Sequence, residues 1–232
     1  MSTTRENRLS MAMENYLLSI IRLQEQETKV TAAQLSEHFK SLPMGEGLGT
    51  SLPSVSAMIR RMTREKLVST SSDKEISLTG AGQREAESIL RRHRLAERLA
   101  VDVLKVDLKR AHEEAHRLEH AFSPYLESRI VDILGYPTTC PFGHPIPGSE
   151  YTFNRSTVSL NKAKVGEDYL VDMVPEDDMD LLGYFVDNEF LPGAHIQVAD
   201  LSEARGVITL NLGSKELVFS MGISNLIRVT PV

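Results

Sequence analysis

Apolar residues recur at three- and four-residue spacing through the first 135 positions and at two-residue spacing after about position 148, so the chain predicts helices first and short strands afterwards. Met13, Tyr16, Leu17, Ile20 and Ile21 form one helical stripe. Thr31 with Gln34 three residues on, preceded by Val30, reads as a capping box with its staple, opening a short helix that buries Leu35 and Phe39. Ser41 to Thr50, with three glycines and a proline, reads as a loop. Pro53 then suits the first residue of a helix whose inner face is Val55, Met58, Ile59 and Met62. After Lys66 the period changes: Leu67-Val68, the polar turn Ser71 to Lys74, and Ile76 with Leu78 predict a hairpin. Helices are expected over about 81–104, 108–122 and 124–134. Beyond Gly148 strands are expected at 156–160, 169–174, 195–199, 207–212, 216–220 and 226–229, with one helix at about 177–186, an arrangement that suits a small barrel.

Composition sharpens this picture. The chain has 232 residues, 41% apolar and 25% charged, which suits a folded globular protein of two or three domains. Its one cysteine, Cys140, excludes an intramolecular disulfide or a zinc framework built on cysteines, and a reducing cytoplasm is the simplest expected compartment. No run is apolar enough to span a membrane, and no secretory stretch is expected at the amino terminus. The net charge of −6 hides a division: residues 1–148 sum to +1 and residues 149–232 to −7. Pro137, Pro141, Pro145 and Pro147, between Gly135 and Gly148, mark the boundary.

A capped helix, a connection, a second helix with a polar outer face and a hairpin follow the order of a winged helix-turn-helix. Residues 52–74 carry Arg60, Arg61, Arg64, Lys66 and Lys74 against Glu65 and Asp73, a local charge of +3. Arg60, Arg61, Arg64 and Lys74 suit phosphates, and Ser54, Ser56 and Ala57 are small enough to approach base edges. The alternative is a solvated charged helix. The connection exceeds the three or four residues usual for the motif.

The run His112-Glu113-Glu114-Ala115-His116-Arg117-Leu118-Glu119-His120 carries the densest chemistry. On a helix His116, Glu119 and His120 converge, with His112 one turn earlier, and imidazole with carboxylate is a ligand set for a first-row divalent metal. His93 and Glu97 offer the same pair on the preceding helix; if the two helices pack antiparallel, they and His112 complete a second cluster. Solvated faces or hydrogen-bonded core histidines are the plainer reading. His112-Glu113-x-x-His116 also fits the zincin pattern, with Glu113 as base, but Glu119 and His120 crowd the same helix; Glu113-x-x-His116 is only half of a di-iron motif.

Glu14-Asn15-Tyr16-Leu17, Arg92-His93-Arg94-Leu95-Ala96-Glu97-Arg98-Leu99, the run His112 to His120, and Pro141-Phe142-Gly143-His144-Pro145-Ile146-Pro147-Gly148 together resemble the diphtheria toxin repressor family, including its manganese-responsive branch. The resemblance implies a mainly α chain with a β domain: a winged helix-turn-helix over 1–80, a helical metal-binding and dimerisation domain over 81–148, and an SH3-like (FeoA-like) small barrel over 149–232. It implies a primary metal site of Asn15, His116, Glu119 and His120. It further implies an ancillary site of His93, Glu97, His112 and Asp178, with Glu176 and Asp177 as alternatives to Asp178. The iron branch places sulfur where this chain has Asn15 and His116, and the manganese branch places carboxylates there. Absence of sulfur favours Mn(II), with Fe(II) the alternative and Zn(II) or Co(II) substituting in vitro. The expected partners are a palindromic double-stranded operator and a second copy of the chain, and the expected role is repression of metal-uptake genes, without catalysis or membrane attachment. A winged-helix regulator of a small molecule and, more remotely, a zinc hydrolase are the competing readings.

Overall fold

The structure, a computed structural model, describes residues 9–26, 28–41 and 48–232; the middle of the loop expected between Ser41 and Thr50 lies outside the described residues. Packing gathers the chain into two units. One holds residues up to Ala96 together with His116–Glu127; the other holds Glu97–Ala115 and Ser128–Val232. The expected helical segment 81–148 is therefore shared between two cores.

In the first unit, α1 (Met11–Glu25) starts at Ser10, whose hydroxyl accepts from the Met13 amide. Its apolar stripe is buried in one core with Val30, Leu35 and Phe39, with Val55, Ile59 and Met62, and with Ile89 and Leu90. Its polar side is buried as well: Glu14, Asn15, Ser19 and Arg22 are each at most 5% exposed. A helix that buries its polar face needs partners there, because desolvated polar groups are costly when unpaired.

One half of the expected capping box is made: the Gln34 amide donates to Thr31 Oγ1 at 3.2 Å, at the start of α2 (Ala32–Ser41), while Gln34 Oε1 lies 3.3 Å from the Thr31 hydroxyl. α3 (Leu52–Arg64) is capped by Ser51, with Pro53 in its first turn. Lys66 adopts φ 60°, turning the chain into β1 (Val68–Thr70), which pairs antiparallel with β2 (Ile76–Leu78). The hairpin is anchored by the Ile76 amide, which donates to Val30 O at 2.8 Å. α4 (Gly80–Arg98) follows at once; a Cβ on Gly82 would lie 1.8 Å from Leu67 O, so only glycine lets this helix start against the hairpin.

The helix expected to reach residue 104 instead changes winding at Leu99–Val103, a π segment in which the Leu104 amide donates to Leu99 O at 3.0 Å. α5 (Leu108–Leu118) runs into a 3-10 turn at Glu119–Ala121, and α6 (Pro124–Ile133) comes next.

The second unit contains six antiparallel strands in the order β3-β8-β4-β5-β6-β7: β3 (Val158–Ser159), β4 (Asp168–Met173), β5 (His195–Ser202), β6 (Val207–Leu212), β7 (Lys215–Ser220) and β8 (Arg228–Pro231). Bulges fall between Val171 and Met173 and between Val198 and Asp200. Alternating residues Tyr169 and Val171, Ile196 and Val198, Ile208 and Leu210, and Leu217 and Phe219 face the core. α7 (Met179–Asp187) adds Phe185, whose ring lies 5.5 Å from Phe190 and 5.7 Å from Phe219. Cys140 and Phe142 from the proline-rich segment are fully buried in the same core. The strand expected from Leu226 begins later, because Ser220 caps a six-residue helix, α8 (Met221–Leu226).

Candidate metal centre and nucleic-acid interface

Glu119, fully buried at the end of α5, is the hub of the first unit's polar cluster. His93 Nδ1–H donates to its Oε2 at 2.6 Å. Its Oε1 faces His116 Nδ1 at 3.4 Å and His120 Nε2 at 3.3 Å, but receives no well-directed hydrogen bond from the described residues. The rings of His93 and His116 lie 4.5 Å apart. Burial pushes the His93 imidazole down to about 4, against the opposing pull of Glu119, so this ring is neutral near pH 7.

Asn15 is 5% exposed, on the polar side of α1, and its Oδ1 is buried without a hydrogen-bond partner among the described residues. Its neighbour Glu14 accepts from Arg92 Nη2 at 2.8 Å and from His120 Nδ1–H at 2.7 Å. Burial pushes the Glu14 carboxyl up, yet the hydrogen bonds from His120 and Arg92 outweigh it and hold it below the ordinary carboxylate range. A carboxylate on Nδ1 fixes the His120 tautomer and turns Nε2 toward Glu119, an arrangement characteristic of histidines that bind metals. Glu14 and Arg92 were not among the expected site residues, although both stand next to them in sequence, beside Asn15 and His93.

Two buried acceptor oxygens with no adequate donor among the described residues, Asn15 Oδ1 and Glu119 Oε1, together with imidazoles turned toward the carboxylate, fit a divalent cation.

The second unit brings together Glu97, His112 and Glu176, each buried, with one ligand atom of each within 4.8 Å of the others. His112 Nδ1–H donates to Glu97 Oε1 at 3.0 Å. The Cys140 thiol donates to Glu176 Oε2 at 3.6 Å, and His144 Nε2–H donates to Val174 O at 2.9 Å. Asp178, the carboxylate first expected here, does something else. Its exposed side chain accepts from the amides of Asp180 and Leu181 as the N-cap of α7, and Glu176, two residues earlier, is the buried carboxylate. His93, the remaining expected ancillary ligand, lies one helical turn before Glu97 on α4, and in its own unit it is engaged by Glu119.

Of the residues expected to meet DNA, Ser54, Ala57, Arg60, Arg61, Arg64 and Lys74 are exposed and Ser56 is half-buried. Ala12, Tyr16, Leu48, Gly49, Ser54, Ala57, Met58, Arg61 and Arg64 line one concavity of about 410 Å³ along α3. Lys74 stands at the hairpin turn with φ 68°.

Residues 79–148 match the iron dependent repressor metal binding and dimerisation domain, and residues 158–231 match the FeoA domain. The iron-dependent repressor IdeR of Mycobacterium leprae is 30% identical over 239 residues, covering 97% of this chain and 100% of its own length. The diphtheria toxin repressor of Corynebacterium diphtheriae is 27% identical over 230 residues, covering 93% of this chain and 95% of its own. A manganese-dependent transcriptional repressor solved in complex with manganese superposes with a TM-score of 0.82 at 28% identity, covering 95% of this chain and all of its own. With 97% of its length aligned to such a repressor at 30% identity, and its helical segment and its β domain both matched, the chain belongs to the iron-dependent, or diphtheria toxin, repressor family.

Proposed function

We propose that this chain is a metal-dependent transcriptional repressor that binds duplex DNA when a divalent ion is plentiful. The observation that carries the reading is α1. One side of it shares a core with α3, and the other presents the buried Oδ1 of Asn15, which lacks a donor among the described residues. Asn15, His116, Glu119 and His120 would hold the primary ion, which supplies a link between α1 and the end of α5 stronger than the hydrogen bonds now made there. Glu14 and Arg92 orient His120 for that task. Glu97, His112 and Glu176 would hold an ancillary ion.

α3 and the hairpin read the duplex, with Ser54, Ser56 and Ala57 toward bases and Arg60, Arg61, Arg64 and Lys74 toward phosphates. In this reading residues 1–80 form the DNA-binding part, 81–148 the metal-binding and dimerising part, and 149–232 the SH3-like part. A symmetric dimer would set two copies of α3 against the half-sites of a palindromic operator. Ligand-bearing histidines must be neutral, so affinity for metal falls with pH. Mn(II) is the preferred ion, since the primary set holds no sulfur, and Fe(II) is the alternative. The relatives named for iron and for manganese support a repressor of metal-responsive genes and not an enzyme.

The test is duplex binding by the full chain, titrated with Mn(II), Fe(II) and Zn(II) at matched free concentrations and then treated with chelator. The expected result is metal-stimulated binding that chelation reverses and that His116→Ala or Glu119→Ala abolishes, with the far-ultraviolet circular dichroism retained. Binding indifferent to chelation contradicts the reading and favours a regulator of another ligand. Peptide turnover lost on Glu113→Gln would instead make the chain a hydrolase.

A further inference from the structure

The basic surface around α3 and the hairpin carries its own counterions. Arg61 Nε donates to Glu65 Oε1 at 3.0 Å across one turn at the end of α3. Lys29, in the segment before α2, donates its Nζ–H to Asp73 in the hairpin turn. Asp73 is also bonded to the Ser71 hydroxyl, and Ser71 organises the whole turn: its amide donates to Glu75 O at 2.9 Å, while its carbonyl accepts from Lys74 at 3.1 Å. Glu65 and Asp73 are the two acids of residues 52–74, and both are engaged in this way.

Neither pair is a device for stability. The four side chains are between 40% and 57% exposed, and ion pairs of that exposure add little to folding. Their placement matters for binding. A cation already neutralised by a carboxylate releases no counterion from DNA, so it contributes nothing to backbone affinity until a phosphate displaces that carboxylate.

We infer that Glu65 and Asp73 are internal counterions that set duplex specificity, withholding Arg61 and Lys29 from casual backbone contacts and releasing them only where docking brings a phosphate into the carboxylate's place. This rests on the DNA-binding reading above. It assigns Lys29, outside the recognition helix and the hairpin, a part in duplex binding, and it makes the two acids determinants of discrimination.

The test measures binding of the Mn(II)-loaded full chain to a short duplex of random sequence as salt is varied. Asp73→Asn and Glu65→Gln should each bind that duplex about two- to fivefold tighter at low salt, the range spanned by the strength of exposed ion pairs. Each should also steepen the slope of log K against log[salt] by about 0.9, one phosphate's worth. A double-mutant cycle separates unmasking of Lys29 from mere removal of negative charge. Lys29→Met should leave the wild-type slope unchanged, yet lower the slope of Asp73→Asn by about 0.9. Additive effects, or variants indistinguishable from wild type, overturn the assignment while leaving DNA binding intact. A wild type that binds no duplex with any of the three metals overturns both. Unchanged thermal midpoints are expected throughout, since the pairs lie outside the core.

Discussion

A guanidinium that is 1% exposed must have its charge met, and Arg94 meets it with Glu25, whose carboxylate accepts from Nη1 at 3.1 Å and from Nη2 at 2.6 Å. Glu25 is 40% exposed, which tempers the cost of losing it. Glu25→Gln should therefore lower stability by about 1–3 kcal/mol, read as an earlier midpoint in urea with an unchanged slope; an unaltered midpoint would show that Arg94 is satisfied without it. At this scale the polar cluster was half legible. The spacing of His116, Glu119 and His120 is local, so helical geometry brings them together from the sequence alone. Glu14 was not legible as the orienting group of His120, because the two are 106 residues apart and nothing local joins them. His93 was read with Glu97, four residues on, and its hydrogen bond to Glu119, 26 residues on, is one that no local spacing announces. Asp178 was the carboxylate the family resemblance implied, but an aspartate just before a helix has a competing use as a cap, and here its side chain caps α7.

Elements with a full hydrophobic period were read almost to the residue: α3, the hairpin, α6 and β6 fall where the pattern puts them. The exceptions are short or change winding. α8 has six residues and depends on one capping serine, and the π segment keeps a helical pattern while altering which carbonyl each amide meets. The hairpin's placement depends on Gly82, where helix propensity and packing oppose each other. Alanine in a helix interior is ordinarily better than glycine by about 1 kcal/mol. Here its Cβ would press on the backbone oxygen of Leu67, which also accepts the Thr79 amide at 3.0 Å. Gly82→Ala should thus destabilise by about 1–3 kcal/mol. Amide exchange should quicken at Val68 and Ile76, with the β-domain amides unaffected; a gain in stability would show that the contact relaxes at no cost.

For the molecule as a whole, titration of two buried groups bounds the pH range in which the metal-free fold is secure. The His93 pKa is depressed from 6.5 to about 4, so between those values the unfolded chain binds the extra proton and stability falls as pH drops, by about 1–3 kcal/mol once pH 4 is passed. The Tyr16 hydroxyl is pushed by burial from 10.0 up to about 12, so stability falls again as pH rises through that interval. Urea midpoints of chelator-treated protein from pH 4 to 11 should therefore trace a dome, and His93→Gln should flatten its acid side. Both groups lie in the first unit. The second unit has its own indicator. Cys140, the one sulfhydryl in 232 residues, is sealed in the β-domain core beside Phe142. A thiol reagent can reach it only when that core opens, so its labelling rate under native conditions is a clock for excursions of that unit in an unmodified protein.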